Sequence, residues 1–177
     1  MPLQPDCGPH PRGPPRPRAR RVHPSDTSNP EIVPVKGDPM SEQANVQIAR
    51  DGWDAWNAHD VNAWLKTLDE QHRWETDTLP APLIGRDAAG QAMRMYLAAF
   101  PDLRFTVDQL LSSGDYVVSR YTATGTHRGD LMGIPPTNRH AEIHGCTVAE
   151  IKNGTMVRTW GYWDTGHLLR QLGVMPA

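Results

Sequence analysis

Apolar residues recur along the chain with two different periods, and the change falls near residue 101. Before it the spacing is helical. Over residues 41–58, Val46, Ala49, Trp53 and Trp56 fall at i, i+3, i+7 and i+10, which puts them on one helix face. Asn57-Ala58-His59 interrupts the pattern, and Asp60 is placed to cap a second helix whose Val61, Trp64, Leu65 and Leu68 share a stripe. Residues 72–78 read as a short polar strand and 79–83 as a loop. Asp87 then opens a third helix with Ala89, Met93, Tyr96, Leu97 and Phe100 on one side, stopped by Pro101.

Beyond Pro101 the period is two. Residues 104–111 and 116–127 are expected strands joined at Ser112-Ser113-Gly114-Asp115. Residues 128–139 form a long loop with Gly129, Gly133 and Pro135-Pro136. Residues 142–151 and 156–163 flank Asn153-Gly154, the strongest hairpin signal in the chain. Asp164 precedes a terminal amphipathic helix carrying Leu168, Leu169 and Leu172, closed by Gly173. Three helices followed by a curled antiparallel sheet make an α+β class.

Composition changes where the domain begins. Of 17 prolines in 177 residues, eleven lie in the first forty, together with Arg12, Arg16, Arg18, Arg20 and Arg21. A segment so poor in large apolar residues does not offset its ordering entropy, so residues 1–40 are expected to be a disordered arm and 41–177 the domain. Met40 stands directly before Ser41, a good N-cap residue, which suggests that translation starts there.

Charge and cysteines then exclude several classes. The arm holds six bases and four acids, leaving the domain twelve bases and sixteen acids. An acidic domain without a basic stripe points away from nucleic acid. No run approaches the ~18 apolar residues of a membrane span, and no apolar core follows the arginines as a signal peptide requires. With only Cys7 and Cys146, a disulfide framework is excluded, and a cytoplasmic location is expected. Cys146 is expected to be buried and inert.

Several motifs appear in a fixed order. They are Trp56-Asn57-Ala58-His59-Asp60, Phe100-Pro101-Asp102-Leu103-Arg104, Gly125-Thr126-His127-Arg128-Gly129, residues 133–139, residues 160–164 and Gln171-Leu172-Gly173. This ordered set resembles the SnoaL-like polyketide cyclases (ester cyclases) of the nuclear transport factor 2-like superfamily, over nearly all of residues 42–174. The resemblance implies a cone-shaped fold, with N-terminal helices closing a curved sheet over a pocket. It implies acid/base-catalysed intramolecular aldol cyclisation of a polyketide-type, carbonyl-bearing hydrophobic molecule, with neither metal nor cofactor, and commonly a homodimer. The chemistry is reasonable, since a methylene between carbonyls is already acidic and a positioned base in a dry pocket removes its proton.

Asp164 is the first candidate for the general acid/base, because burial beside Trp160 and Trp163 would favour a carboxyl that takes up protons. Its other reading is the cap of the last helix. In the resembling family an acid often follows the tryptophan matched by Trp160, and here that position is Gly161. The resemblance makes His144 the partner imidazole. A two-residue turn at Asn153-Gly154 would pair His144 with Trp163 and Cys146 with Gly161, leaving Asp164 opposite Ile143 on the other face. Gly161 would then share a face with His144 and leave space for a ligand. Trp56, Trp74, His127, Met132, Trp160, Tyr162 and Trp163 are candidate substrate-binding residues, with Met132 and Ile134 a candidate lid, although aromatics at these spacings are more often plain core. His127, His140 and His144 invite a metal reading, but residues four apart on a strand lie ~13 Å apart, too far to share an ion. A non-catalytic binding protein of the same fold, or a hydratase or isomerase for a smaller substrate, remains open beside the cyclase.

Overall fold

A computed structural model describes residues 39–176. The proline-rich arm and Cys7 lie outside the described residues, save that Pro39 and Met40 begin the first helix. Helix α1 (Pro39–Asn57) therefore starts ahead of Ser41, which sits inside the first turn and not at the cap. Two contacts hold that end on the sheet: Glu42 Oε1 accepts from the Gly114 N–H at 2.9 Å, and Asn45 Nδ2 donates to the Gly114 carbonyl at 3.1 Å. Asp60 caps α2 (Val61–Lys66) as expected, accepting from the Ala63 N–H at 2.9 Å. Helix α3 (Gly85–Ala99) opens two residues before Asp87, which lies in its first turn and still complements the exposed N–H end.

The strands are β1 (Leu68–Thr76), β2 (Leu83–Ile84), β3 (Arg104–Ser113), β4 (Tyr116–Thr126), β5 (His140–Lys152) and β6 (Thr155–Trp163). They form one sheet in the order β2-β1-β6-β5-β4-β3. All neighbours are antiparallel except β1 and β6, which run parallel, so the sheet is mixed where a purely antiparallel one was expected. Asn153 and Gly154 have φ of 52° and 81°, the left-handed pair that a two-residue turn needs. Lys152 pairs with Thr155 accordingly, but the ladder then slips. Ile151 faces Met156 while Glu150 faces Arg158, so Val157 is an extra residue, a bulge. Gly145 consequently pairs with Trp163, Cys146 with Tyr162 and Thr147 with Gly161. The expected register is thus off by one residue, which in a strand reverses the faces.

Most of the core lies between the helices and the concave face of the sheet. Trp56, Trp64, Leu68, Trp74, Met93, Val117, Ile151 and Met156 pack there. A smaller cluster of Ala99, Phe100, Leu131, Ala141 and Leu172 fills one end under α4 (Thr165–Leu172). The motif residues tie these layers together. Asn57 Nδ2 donates to the Phe105 carbonyl at 2.9 Å and its Oδ1 accepts from the Phe105 N–H at 2.8 Å, so one side chain continues the ladder beyond the edge of β3. Asp102 accepts from both the backbone N–H and the hydroxyl of Thr126 at 2.7 Å, which holds its carboxyl below the usual range. Gln171 exchanges hydrogen bonds with the Glu142 backbone, at 2.9 and 2.7 Å, and so fastens α4 to β5.

Candidate functional site

The concave face of the sheet and the three N-terminal helices enclose a cavity of about 150 Å³. Its wall is a run of aromatic rings in edge or tilted contact. Tyr121 meets Trp53 at 4.8 Å between centroids, Trp53 meets Phe105 at 5.0 Å, and Phe105 meets Trp56 at 5.6 Å. Trp56 meets Trp64 at 5.1 Å, Trp64 meets Trp74 at 5.9 Å, and Tyr96 follows at 6.4 Å from both Trp74 and Trp163. Among the described residues that line it, none carries a formal charge at neutral pH; besides the indole N–H groups of its tryptophans, its polar side chains are His72, Ser119, Thr124, Thr147, Thr159 and the two phenols.

His72 is the one imidazole in this wall, and two features set its chemistry. The β1–β6 ladder breaks between Leu68 and Arg73, so β1 carries extra residues there and turns His72 inward. The Met156 carbonyl takes the imidazole as its partner: Nδ1 lies 2.9 Å from that oxygen. A carbonyl only accepts, so Nδ1 carries the proton and Nε2 keeps a lone pair. His72 is fully buried, and burial holds its pKa below the ordinary value, against weaker upward pulls from the Met156 bond and Asp69. The ring is therefore a neutral base at pH 7, with its tautomer held by the strand beside it.

The phenols are protonated donors. Burial pushes the Tyr121 hydroxyl up to about 12, opposed by the Thr147 hydroxyl beside it. Burial also raises Tyr96, against a smaller pull from Thr78; its hydroxyl is buried and has no partner of hydrogen-bond geometry among the described residues.

The expected site residues separate into three groups. Trp56, Trp74 and Trp163 line the cavity, and so does Gly161. Gly161 does leave the wall low, but the ring of Trp163 already lies over it: an added Cβ would meet Trp163 Cζ3 at 2.9 Å and Trp74 Nε1 at 3.4 Å. His144, Trp160 and Tyr162 fall on the outward face, because the ladder with β4 turns the odd-numbered residues of β5 inward and the Val157 bulge brings Thr159, Gly161 and Trp163 of β6 onto the same side. His144 is exposed and its Nδ1 lies 3.1 Å from the Thr122 hydroxyl. Trp160 carries the Arg158 guanidinium 4.3 Å from its ring centroid, and Arg158 Nε in turn donates to Glu75 at 2.6 Å. Cys146 is likewise on that face and half-buried, not enclosed as expected.

Asp164 is exposed and caps α4, accepting from the His167 N–H at 2.7 Å. The structure therefore brings neither Asp164 nor His144 into the cavity. His127 is fully buried but stands in the smaller cluster, its ring 5.2 Å from Phe100 and its Nδ1 accepting from the Thr137 N–H at 3.3 Å. Met132 sits at a loop turn with φ of 50°, half-exposed and away from the cavity. His72 and Tyr121 are the functional candidates that sequence periodicity missed. Both lie in strands otherwise read as polar or ordinary, and nothing local marks which face they take.

The frame and the pocket together define a small α+β protein whose helices and sheet set aromatic walls around an apolar cavity. The model of the SnoaL-like polyketide cyclases matches residues 47–172, and the chain belongs to that family. Among solved structures it is similar to AclR from Streptomyces galilaeus, named as a candidate hydroxylase, at 26% identity and a TM-score of 0.68, covering 77% of this chain and 85% of that one. It is similar also to IdmH of Streptomyces antibioticus, named as a candidate polyketide cyclase, at 25% identity and a TM-score of 0.64, covering 73% and 98%. A candidate SnoaL-like polyketide cyclase from Jannaschia sp. CCS1 shares the fold at 21% identity and a TM-score of 0.72, covering 78% and 97%. No curated protein matches the chain in sequence. Among the described residues no helix is long and apolar enough to cross a membrane, and no group of three or more potential metal ligands is gathered.

Proposed function

We propose that this protein is an ester cyclase that closes a ring in a carbonyl-bearing hydrophobic molecule by aldol chemistry, with His72 as its proton-transfer group. The observation that carries this is a neutral imidazole, tautomer-locked by the Met156 carbonyl, in the wall of an aromatic cavity. Nε2 takes a proton from a methylene between two carbonyls, the enolate carbon bonds to a receiving carbonyl of the same molecule, and the imidazolium returns its proton to the new alkoxide. No atom is lost, so the step needs no co-reactant. The packed rings exclude water and hold a flat substrate folded on itself. In this reading Asp164 keeps its role as a cap and His144 stays outside the chemistry.

The test is proton exchange on a surrogate. Ethyl benzoylacetate in deuterated buffer is incubated with the protein, and loss of its methylene signal is followed by NMR. Wild type is expected to accelerate exchange over buffer and His72→Gln to lose about a hundredfold or more of that acceleration, the usual range for a general base. Equal exchange by both proteins would sink the proposal. One observation favours a second reading: no carboxylate stands among the lining residues. A binding protein with the same pocket would take up the surrogate without exchanging it. The protein is further proposed to be cytoplasmic and to dimerise through the outward sheet face, where Tyr162 is 50% and Leu111 54% exposed. Sedimentation of Tyr162→Asp against wild type tests that interface.

A further inference from the structure

The cavity has a second polar pole, away from His72. Ser119 and Tyr121 alternate on β4, and both are buried with their side chains on the concave face. Across the ladder Ser119 pairs with Thr147 and Tyr121 with Gly145, so three hydroxyl-bearing residues meet at one place on the sheet. The next strand contributes Gly161 opposite Thr147. Gly145 is essential to the arrangement. Its missing Cβ makes room for the hydroxyl end of Tyr121, whose Cε2 would otherwise come within 2.6 Å. The phenol is thereby laid across the floor toward β5, next to the Thr147 hydroxyl that pulls on it. Trp53 and Phe105 hold its ring from above, at 4.8 and 5.3 Å between centroids.

We propose that Tyr121, supported by Thr147 and Ser119, is the anchor for an uncharged oxygen of the substrate, a ketone or quinone carbonyl distant from the reacting methylene. The inference rests on the proposed function only for the identity of the other pole. His72 stands on β1 and Tyr121 on β4, three strands apart at about 4.8 Å per strand, so one molecule must present its acidic carbon and its anchored oxygen at opposite ends. The phenol remains protonated well above neutral pH, so it donates and never repels a carbonyl. A carboxylate would find no cation to meet it, since no lysine or arginine is among the lining residues.

The experiment uses five tryptophans of the wall, Trp53, Trp56, Trp64, Trp74 and Trp163, as an internal reporter. Fluorescence of the full-length protein is titrated with 2-acetylnaphthalene and with 2-ethylnaphthalene, which differ by one carbonyl oxygen. Wild type is expected to bind the ketone more tightly than the hydrocarbon. Tyr121→Phe, which keeps the ring and its packing, is expected to weaken the ketone about three- to tenfold, as loss of one net hydrogen bond does, and to leave the hydrocarbon unchanged. Thr147→Val is expected to move the ratio the same way by less. An unchanged ketone-to-hydrocarbon ratio in Tyr121→Phe overturns the anchor. That result alongside His72-dependent exchange would leave the proton-transfer proposal standing. A shifted ratio without any exchange in wild type would overturn that proposal and leave the anchor.

Discussion

Asn57 offers the sharpest test of how the pocket is held open. Its amide makes two hydrogen bonds to the backbone of Phe105, at 2.9 and 2.8 Å, and Phe105 packs against Trp53, Trp56 and Tyr121. In Asn57→Ala both bonds vanish. Each is worth about 1 kcal/mol net, and a Phe105 group left dry adds its own desolvation cost of about 1–3 kcal/mol. Phe105 is half-buried near the sheet edge, so water reaches part of what is freed, and the expected loss is about 2–3 kcal/mol. For a domain of this size that lowers Tm by very roughly 10 °C. Asn57→Asp separates the two bonds. It keeps an acceptor for the Phe105 N–H but sets a carboxylate oxygen against the Phe105 carbonyl, so it should be at least as unstable as Asn57→Ala near pH 7. Urea denaturation of wild type and both variants at that pH supplies the comparison. A change under about 0.5 kcal/mol in Asn57→Ala, the size of an ordinary surface substitution, would refute the view that this side chain anchors the edge strand.

The other expectations concern the cavity and its titratable groups. Gly145→Ala should force the Tyr121 ring off the floor, costing about 1–3 kcal/mol and abolishing any preference for the ketone probe. Gly161→Asp, which would restore an acid after Trp160, should fail to gain proton-exchange activity without displacing Trp163, seen as a shift in tryptophan emission. His72 and His127 are both held below the ordinary value of 6.5 by burial, so the unfolded chain binds more protons as pH falls through that value; stability should be complete above it and decline below it, and His72→Gln should flatten part of the slope in a urea series. Asp164→Ala should cost about 1 kcal/mol through loss of its cap while leaving exchange of ethyl benzoylacetate intact. Lost exchange in that variant would return Asp164 to the chemistry.

The motifs that carried the family resemblance turn out to be largely structural fastenings. Asn57 holds β3, Asp102 holds the end of β4, and Gln171 holds α4 on β5. Gly129 lies against the Ala98 carbonyl so closely that no side chain fits, while the Arg128 and Gly129 N–H groups bond the Ala99 carbonyl. Such residues serve the frame through local hydrogen bonds and close backbone approach, and they are legible as sequence for that reason. They say little about the substrate, which meets a different set of side chains.

Local chemistry was enough wherever one residue and its near neighbours decide the outcome. Asp60 and Asp164 as caps, Asn153-Gly154 as a tight turn and Gly173 as a left-handed helix end with φ of 74° all follow from short-range sterics and hydrogen bonding. The α+β class and the apolar faces of α1 and α3 follow from periodicity. What only the tertiary structure decided is which residues face inward. One extra residue at Val157 turned Gly161 and Trp163 inward and left Trp160 and Tyr162 outside, and the break after Leu68 in the parallel β1–β6 ladder aimed His72 at the cavity. Both depend on pairing between strands distant in sequence. A side-chain period of two makes a single-residue slip invert a face, so the site could be read only after the register was known.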